Sequence, residues 1–141
     1  MAYWLFKSEP SAWSWENQKK KGAKGEPWTG VRNYQANNNM KAMRKDDLGF
    51  FYHSVDEKRI VGIVRVTGEH KPDPTDETGK FGLVVVEAVT DMPRPVTLAD
   101  IKAEPRLKEM AILKQSRLSV QPVRDNEWKL LCKMGGLAKA P

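Results

Sequence analysis

Eight consecutive residues, Trp28 to Gln35, hold the densest collection of groups in the chain that could bind a flat polar molecule. The segment contains an indole ring, a glycine, an arginine and two amide side chains. An aromatic ring offers a face for stacking, a glycine lets the backbone approach closely, and an amide can read the edge of a base. We therefore predict that this segment forms part of a pocket for a nucleobase.

Each side chain of this segment also has a structural interpretation. Trp28 could be a core residue, although its place between a polar loop and a glycine favours the pocket. Asn33 could read a base edge or cap a helix, and Gly30 could allow close approach or form a turn with positive φ. Arg32 could bind phosphate or lie on the surface, and Tyr34 could belong to the core. The sequence leaves these alternatives open.

Polar residues also follow two predicted strands, where side chains often line a site. Ser8 and Glu9 follow the first strand, and a carboxylate can accept a hydrogen bond from the amino group of cytosine. A surface glutamate paired with Lys7 is the alternative. His53 and Ser54 end a later strand, although a lone histidine is more often structural than functional. We predict that this pair also lies near the pocket.

The composition is that of a globular protein of one domain, residues 1–141, with 40% hydrophobic and 30% charged residues. The apolar runs are too short to span a membrane, and nothing resembles a signal peptide. The single cysteine excludes an internal disulfide, and two histidines leave too few ligands for a zinc cluster. We therefore expect a cytoplasmic protein, nuclear if the source is eukaryotic, with no metal and no cofactor.

The net charge of +6 is unevenly distributed along the chain. Residues 1–50 carry 9 basic and 5 acidic side chains, residues 94–141 carry 10 and 5, and residues 51–93 carry 5 and 8. This asymmetry is compatible with a basic surface built from both ends of the chain, which phosphate contacts would use. A protein covered with lysines and lacking a polyanionic partner fits equally well.

Hydrophobic patterning predicts an α+β domain around a curled sheet. We expect a short helix capped by Ser11, a loop over residues 19–27, and a helix from Asn33 through Lys45. Thr97 is predicted to cap a helix ending at Ala103, and Asp125 to cap the last helix, which stops at Gly135. The predicted strands are residues 3–7, 48–53, 60–66, 81–89 and 118–123, with a long loop over 70–80.

Four segments in one order resemble the signature segments of the EVE domain family: residues 4–10, 30–36, 51–54 and 115–122. The resemblance implies a PUA-like pseudo-β-barrel, a curled mixed sheet of about five to six strands with flanking helices. It also implies a pocket for a modified base, notably methylated or hydroxymethylated cytosine in DNA. YTH domains, which read methylated adenine in RNA, are more distant relatives with a similar cage.

The matched segments and their chemistry give a set of expected site residues. The expected base-binding residues are Lys7, Ser8, Glu9, Trp28, Gly30, Val31, Asn33, Tyr34, His53, Ser54, Leu118 and Ser119. The expected phosphate-binding residues are Arg32, Gln115 and Arg117, and Arg117 could instead anchor the pocket loop. A methyl group on the base is expected to fill an apolar gap beside Val31 or Leu118.

The chain departs from the family pattern at several positions. Asn37 stands where the family often has arginine, and Phe81 where it often has tryptophan. Val85 stands at the position of the aspartate that follows this tryptophan in the family. Residues 70–80 contain no tryptophan, whereas the corresponding loop closes the cage in YTH domains. The preferred modification of the base therefore stays open.

The interpretation that joins these observations is a monomeric, non-catalytic reader of modified cytosine in DNA. The main alternative is a PUA-like module that binds a modified RNA base, and a third is a domain for small ligands or protein partners. An enzyme is less favoured because Cys132 lies in a core pattern, Asp46 and Asp47 have no neighbouring histidine, and residues 22–25 lack the spacing of a phosphate loop.

Overall fold

The computed structural model describes residues 1–141 and contains one six-stranded mixed sheet with flanking helices. The strands are β1 (Tyr3–Ser8), β2 (Glu26–Pro27), β3 (Leu48–His53), β4 (Arg59–Pro72), β5 (Gly82–Thr97) and β6 (Val120–Val123). The helices are α1 (Trp15–Lys21), α2 (Tyr34–Ala42), α3 (Leu98–Ala103), α4 (Ala111–Lys114) and α5 (Asp125–Met134). Short 3₁₀ turns cover Gly22–Lys24 and Pro105–Leu107.

The strands lie in the order β2-β5-β4-β3-β1-β6, and only β1 and β3 run parallel. The long strands β4 and β5 form an antiparallel pair whose register shifts at several points. Such irregularities increase the local twist and bend of a sheet. The sheet curls without closing, so the predicted PUA-like α+β fold is confirmed as an open, mixed sheet.

Both faces of the sheet are buried, because alternate residues of each central strand enter two separate cores. On β1, Trp4 and Phe6 pack into one core with Trp28 and Met40, whereas Leu5 enters the other with Trp128. Every residue of β3 is buried. A strand covered on both sides is expected to read as a continuous apolar run, as β3 does.

The helix signals in the sequence identified two caps correctly. Asn33 Oδ1 accepts from Ala36 N at the start of α2, and Thr97 caps α3. The predicted Ser11 cap is wrong: Ser14 caps α1, through a reciprocal capping box with Asn17. Consequently Lys19–Lys21 are helical, not part of a loop. Helix α2 ends at Ala42 instead of Lys45, and Arg124 occupies the position before α5 that was assigned to Asp125.

The strands also differ from prediction in length. β4 extends to Pro72 and β5 to Thr97, whereas β6 begins only at Val120. The two-residue β2 and the short α4 were not predicted. None of the helices is both long and apolar enough to cross a membrane.

Candidate nucleic-acid interface

A cleft of about 260 Å³ opens where β1 ends beside the segment that follows β2. Its polar lining consists of Lys7, Ser8, Glu9, Glu26 and Thr29. Its remaining lining consists of Ala12, Trp13, Pro27 and Trp28. The first matched segment, residues 4–10, therefore meets Trp28 at one site, with Ser8 and Glu9 lining the same cavity as Trp28.

The sheet positions Trp28 at the cleft. Glu26 and Pro27 pair with β5, and the Trp28 amide donates to Val84 O at 2.8 Å. The Trp28 ring makes edge-to-face contacts with Phe6 and Phe51, at centroid distances of 5.2 and 5.8 Å. With only 8% of its surface exposed, Trp28 belongs to the core and also lines the cleft.

This burial changes what Trp28 can offer to a ligand. A side chain so deeply packed has little free face for stacking. Its Nε1 donates to no protein acceptor, however, and is not fully buried. Trp28 therefore presents a free N–H donor. Trp13 is half-buried, lines the same cleft, and offers the larger aromatic surface.

A turn holds Trp13 against the end of β1. The amides of Ala12 and Trp13 both donate to Glu9 O at 2.9 Å. The Ser8 hydroxyl donates to Trp13 O at 2.5 Å, and the Trp13 indole donates to Gln18 Oε1 at 2.9 Å. The ring of Trp13 is thus fixed at both its backbone and its polar edge.

The charges of the cleft disfavour an anionic ligand and suit one that carries hydrogen-bond donors. Glu26 is 3.5 Å from Lys21 Nζ, whereas the exposed Glu9 carboxylate has no protein partner. Lys7 Nζ donates to Ser116 O at 2.5 Å, and burial lowers the pKa of Lys7. A phosphate here would meet two carboxylates, so an amino-bearing ring fits the cleft better.

His53 does not line the cleft but supports it from behind. Its buried ring accepts a hydrogen bond from Trp15 N at Nε2, 2.9 Å away, which assigns the proton to Nδ1. Nδ1 in turn donates to Glu57 at 2.9 Å. His53 therefore fixes the start of α1, two residues after Trp13. Ser54 also lies outside the cleft, and its amide donates to Ser8 O.

Asp73 holds the turn that follows Trp28. Its fully buried carboxylate accepts from Gly30 N at 2.9 Å, from Arg32 Nη1 at 3.2 Å, and from the amide and hydroxyl of Thr75. Burial opposes the ionisation of Asp73, but the hydrogen bonds from Thr75, Gly30 and Arg32 outweigh it and lower its pKa to about 2. Gly30 has φ of +83°, with open space where a Cβ would lie, so it forms a turn and not a close contact.

Arg32, which was predicted to bind phosphate, makes several contacts within the protein. Its guanidinium donates to Val31 O, Asp73 and Thr75, and it lies over the ring of Phe81 at 5.8 Å. Tyr34 is 61% exposed and packs beside Phe81 at 5.0 Å, outside the cleft and outside the core.

A second concavity, here called the basic groove, has a volume of about 350 Å³. It is lined by Asn33, Gln35, Lys114, Gln115, Ser116, Arg117 and Leu118, without any carboxylate. The hydrogen bond from Lys7 to Ser116 O joins the cleft to this groove. Some of the predicted residues thus line the cleft and others line this groove, whereas the remainder line neither.

Several predicted base contacts are placed elsewhere. Asn33 Oδ1 is occupied by the Ala36 amide, and the residue lines the basic groove. Val31 and Leu118 are core residues that do not line the cleft, whereas Ala12, Trp13 and Pro27 do. Ser119 contributes its carbonyl to Lys7 N and does not line the cleft.

Sequence reasoning missed Trp13, Glu26 and Asp73. Glu26 and Pro27 directly precede Trp28, so their adjacency was a usable signal. Trp13 lies two residues after Ser11, where only a short helix was predicted. Nothing local connects Asp73 with Gly30, 43 residues away.

Asn37, one of the departures from the family pattern, has a structural role. Its buried Oδ1 accepts from Gly82 N and contacts His70 Nε2, each at 3.0 Å.

Cys132 is also buried, and burial raises its thiol pKa to about 11, which leaves no thiolate nucleophile at neutral pH. No group of three or more His, Cys, Asp or Glu side chains is arranged to hold a metal ion.

The open, mixed six-stranded sheet with flanking helices is a PUA-like fold. The profile of the EVE domain matches residues 2–134, and the chain belongs to that family. Mouse thymocyte nuclear protein 1 is 32% identical over 161 residues, covering 92% of this chain and 71% of its own length.

Solved structures give the same result. A protein from Agrobacterium tumefaciens is 54% identical with a TM-score of 0.96, covering 100% of this chain and 99% of its own. Human thymocyte nuclear protein 1, crystallised in complex with DNA containing 5-methylcytosine, is 31% identical with a TM-score of 0.89, and each chain is covered completely. A YTH domain from Zygosaccharomyces rouxii, in complex with N6-methyladenosine RNA, shares the fold at 16% identity and a TM-score of 0.58, with 99% and 89% of the two chains covered.

Proposed function

We propose that this protein is a non-catalytic reader that takes one modified cytosine of DNA into the cleft between Glu9 and Trp28. The observation that carries this proposal is the unpaired Glu9 carboxylate facing a cleft with two tryptophans. The complex of human thymocyte nuclear protein 1 with 5-methylcytosine DNA supports the same ligand class.

The base would be recognised through its edge and its face. Glu9 accepts from the amino group of cytosine, a donor that thymine and uracil lack, and Trp28 Nε1 donates to a ring or carbonyl acceptor. Stacking on Trp13 adds ~1–3 kcal/mol of binding free energy.

Discrimination of the methyl group is expected to be modest. Burying one methyl-sized group against Ala12 and Pro27 contributes ~1 kcal/mol, which is about a fivefold preference. In duplex DNA, flipping the base out of the stack costs a few kcal/mol. Single-stranded oligomers should therefore bind more tightly than duplexes of the same sequence.

Fluorescence anisotropy with matched DNA and RNA oligomers, each with and without 5-methylcytosine, tests the proposal. We expect methylated DNA to bind most tightly, Trp13→Ala to weaken binding about tenfold or more, and Trp28→Phe to weaken it less because only the indole N–H is lost.

Trp128→Phe is the matched control, since Trp128 is a buried tryptophan of the opposite core. It should leave the affinity unchanged. Equal binding of all oligomers, abolished by salt and insensitive to both cleft variants, would refute the reader. Preference for a modified base in RNA would replace it with the RNA-binding alternative.

A further inference from the structure

The basic groove is built to receive an anion. Lys114 is already paired with Glu109, but Arg117 is exposed and forms no ion pair. No carboxylate lines the groove, in contrast to the cleft, where two do. The two neighbouring concavities therefore have opposite electrostatic preferences, although both belong to one surface.

The backbone of the groove loop adds unpaired donors to this charge. Two carbonyls of the loop accept from internal donors: Ser116 O from Lys7 Nζ, and Leu118 O from the buried side-chain amide of Gln121 at 2.8 Å. The amides of Ser116 and Arg117 donate to no protein acceptor. Because Ser116 O and Leu118 O already accept internal hydrogen bonds, the free amides of Ser116 and Arg117 are available to a ligand, and such N–H donors suit a phosphate.

The opposite wall also supplies donors. Asn33 caps α2 and shares the groove with Gln35, whose backbone amide has no intramolecular acceptor. The positive end of the α2 dipole reinforces the preference for an anion, but the guanidinium of Arg117 carries the formal charge.

Lys7 defines how the two sites are connected. Its side chain lines the cleft, and its ammonium group reaches the carbonyl of Ser116 at the rim of the groove. We propose that the basic groove binds the phosphodiester group next to the base held in the cleft, so that the nucleic-acid strand crosses over Lys7. This inference rests on the proposed function, and it names Arg117 as the cation that contacts the backbone.

The first test measures affinity for single-stranded 5-methylcytosine DNA at several salt concentrations. Each phosphate contact contributes about 0.7 to the slope of log K against log salt for single strands. Arg117→Gln should lower this slope by about that amount. It should also lower the affinity for methylated and unmethylated oligomers by the same factor, about tenfold at low salt. Arg44→Gln is the matched control, because Arg44 is an exposed arginine without an ion pair just beyond the other end of α2. It should change neither quantity appreciably.

The second test locates the phosphate. One neutral methylphosphonate is placed in turn at each linkage around the 5-methylcytosine. We expect a methylphosphonate at one linkage adjacent to the modified base to lower the affinity of the wild type. The same substitution should not lower the affinity of Arg117→Gln any further.

The outcomes separate the two proposals. If methylated DNA is preferred but Arg117→Gln behaves like Arg44→Gln, the groove assignment is wrong and the reader stands. If methylation has no effect but Arg117→Gln still lowers the salt slope, the groove binds phosphate and the reader fails. If Arg117→Gln and the methylphosphonate lower the affinity additively at every linkage, Arg117 does not contact any of these phosphates.

Discussion

At the scale of single residues, the two carboxylates of the cleft differ in their availability. Glu26 interacts with Lys21, whereas Glu9 has no partner in the protein. A free carboxylate beside an aromatic ring is what a cytosine amino group requires, and a charged acceptor roughly doubles the strength of a hydrogen bond. Base identity should therefore depend on Glu9 and not on Glu26.

Replacing Glu9 with glutamine should narrow the preference for 5-methylcytosine over thymine about tenfold, because the charged acceptor for the amino group is lost. Thymine carries the same methyl group but a carbonyl in place of the amino group, so the ratio isolates this contact. Competition binding with two oligomers that differ at this one base gives the ratio. Glu26→Gln removes the same charge from the same cleft and should leave the ratio intact. A ratio that falls equally in both variants would contradict the assignment.

At the scale of elements, the cleft depends on where α1 begins. His53 on β3 accepts from Trp15 N, the first residue of α1, and so determines how the preceding turn carries Trp13. The residue acts through this positioning, because its own side chain does not line the cleft. Its role is therefore separable from direct contact with a base.

His53→Phe should lower the free energy of unfolding by ~1–3 kcal/mol, since it leaves the Trp15 amide buried and unpaired. It should also weaken DNA binding through loss of order at Trp13. Urea denaturation and anisotropy measure the two effects, and indole fluorescence reports the exposure of Trp13. His53→Gln retains an acceptor at a similar reach and should recover part of both losses. If His53→Phe unfolds with the same free energy as the wild type, the hydrogen bond from Trp15 N to His53 does not stabilise the fold.

The elements also show why prediction from sequence succeeded in some places and not in others. The Asn33 and Thr97 caps were predictable because the cap and its bonded amide lie within three residues of each other. The extent of β5 was not predictable, because Pro93 and Pro95 indicate a break in the strand. Both prolines lie where the β4 pairing jumps from Asp91 to Val96, so their missing N–H groups are not needed. Four predicted residues, Lys7, Ser8, Glu9 and Trp28, do line the cleft, whereas Trp13 reaches it through a turn that no local pattern specifies.

At the scale of the whole molecule, ion pairs join the acidic middle of the chain to its basic first part. Asp73 pairs with Arg32 and Asp91 with Lys19, whereas Glu87 pairs with Arg65 within the middle itself. Most of these ion pairs are exposed and contribute little to stability. Asp73 is the exception, because it is fully buried and connects the turn after Trp28 to the loop after β4.

Global stability should therefore depend on pH through Asp73. Its pKa is about 2 in the folded protein and 3.8 as the unperturbed reference, so ionised Asp73 stabilises the fold above pH 4 by ~2–2.5 kcal/mol. Because the folded-state pKa is depressed, this contribution disappears as the pH falls from about 4 towards 2. Asp73→Asn should lower the free energy of unfolding by at least that amount at pH 7, and the difference from wild type should shrink as the pH approaches 2. Urea denaturation at pH 7, 4 and 2.5 measures both curves, with Asp56→Asn, an exposed aspartate on the β3–β4 turn, as the control. A difference between Asp73→Asn and wild type that stays constant from pH 7 to 2.5 would show that packing, and not the ionised carboxylate, holds the turn beside Trp28.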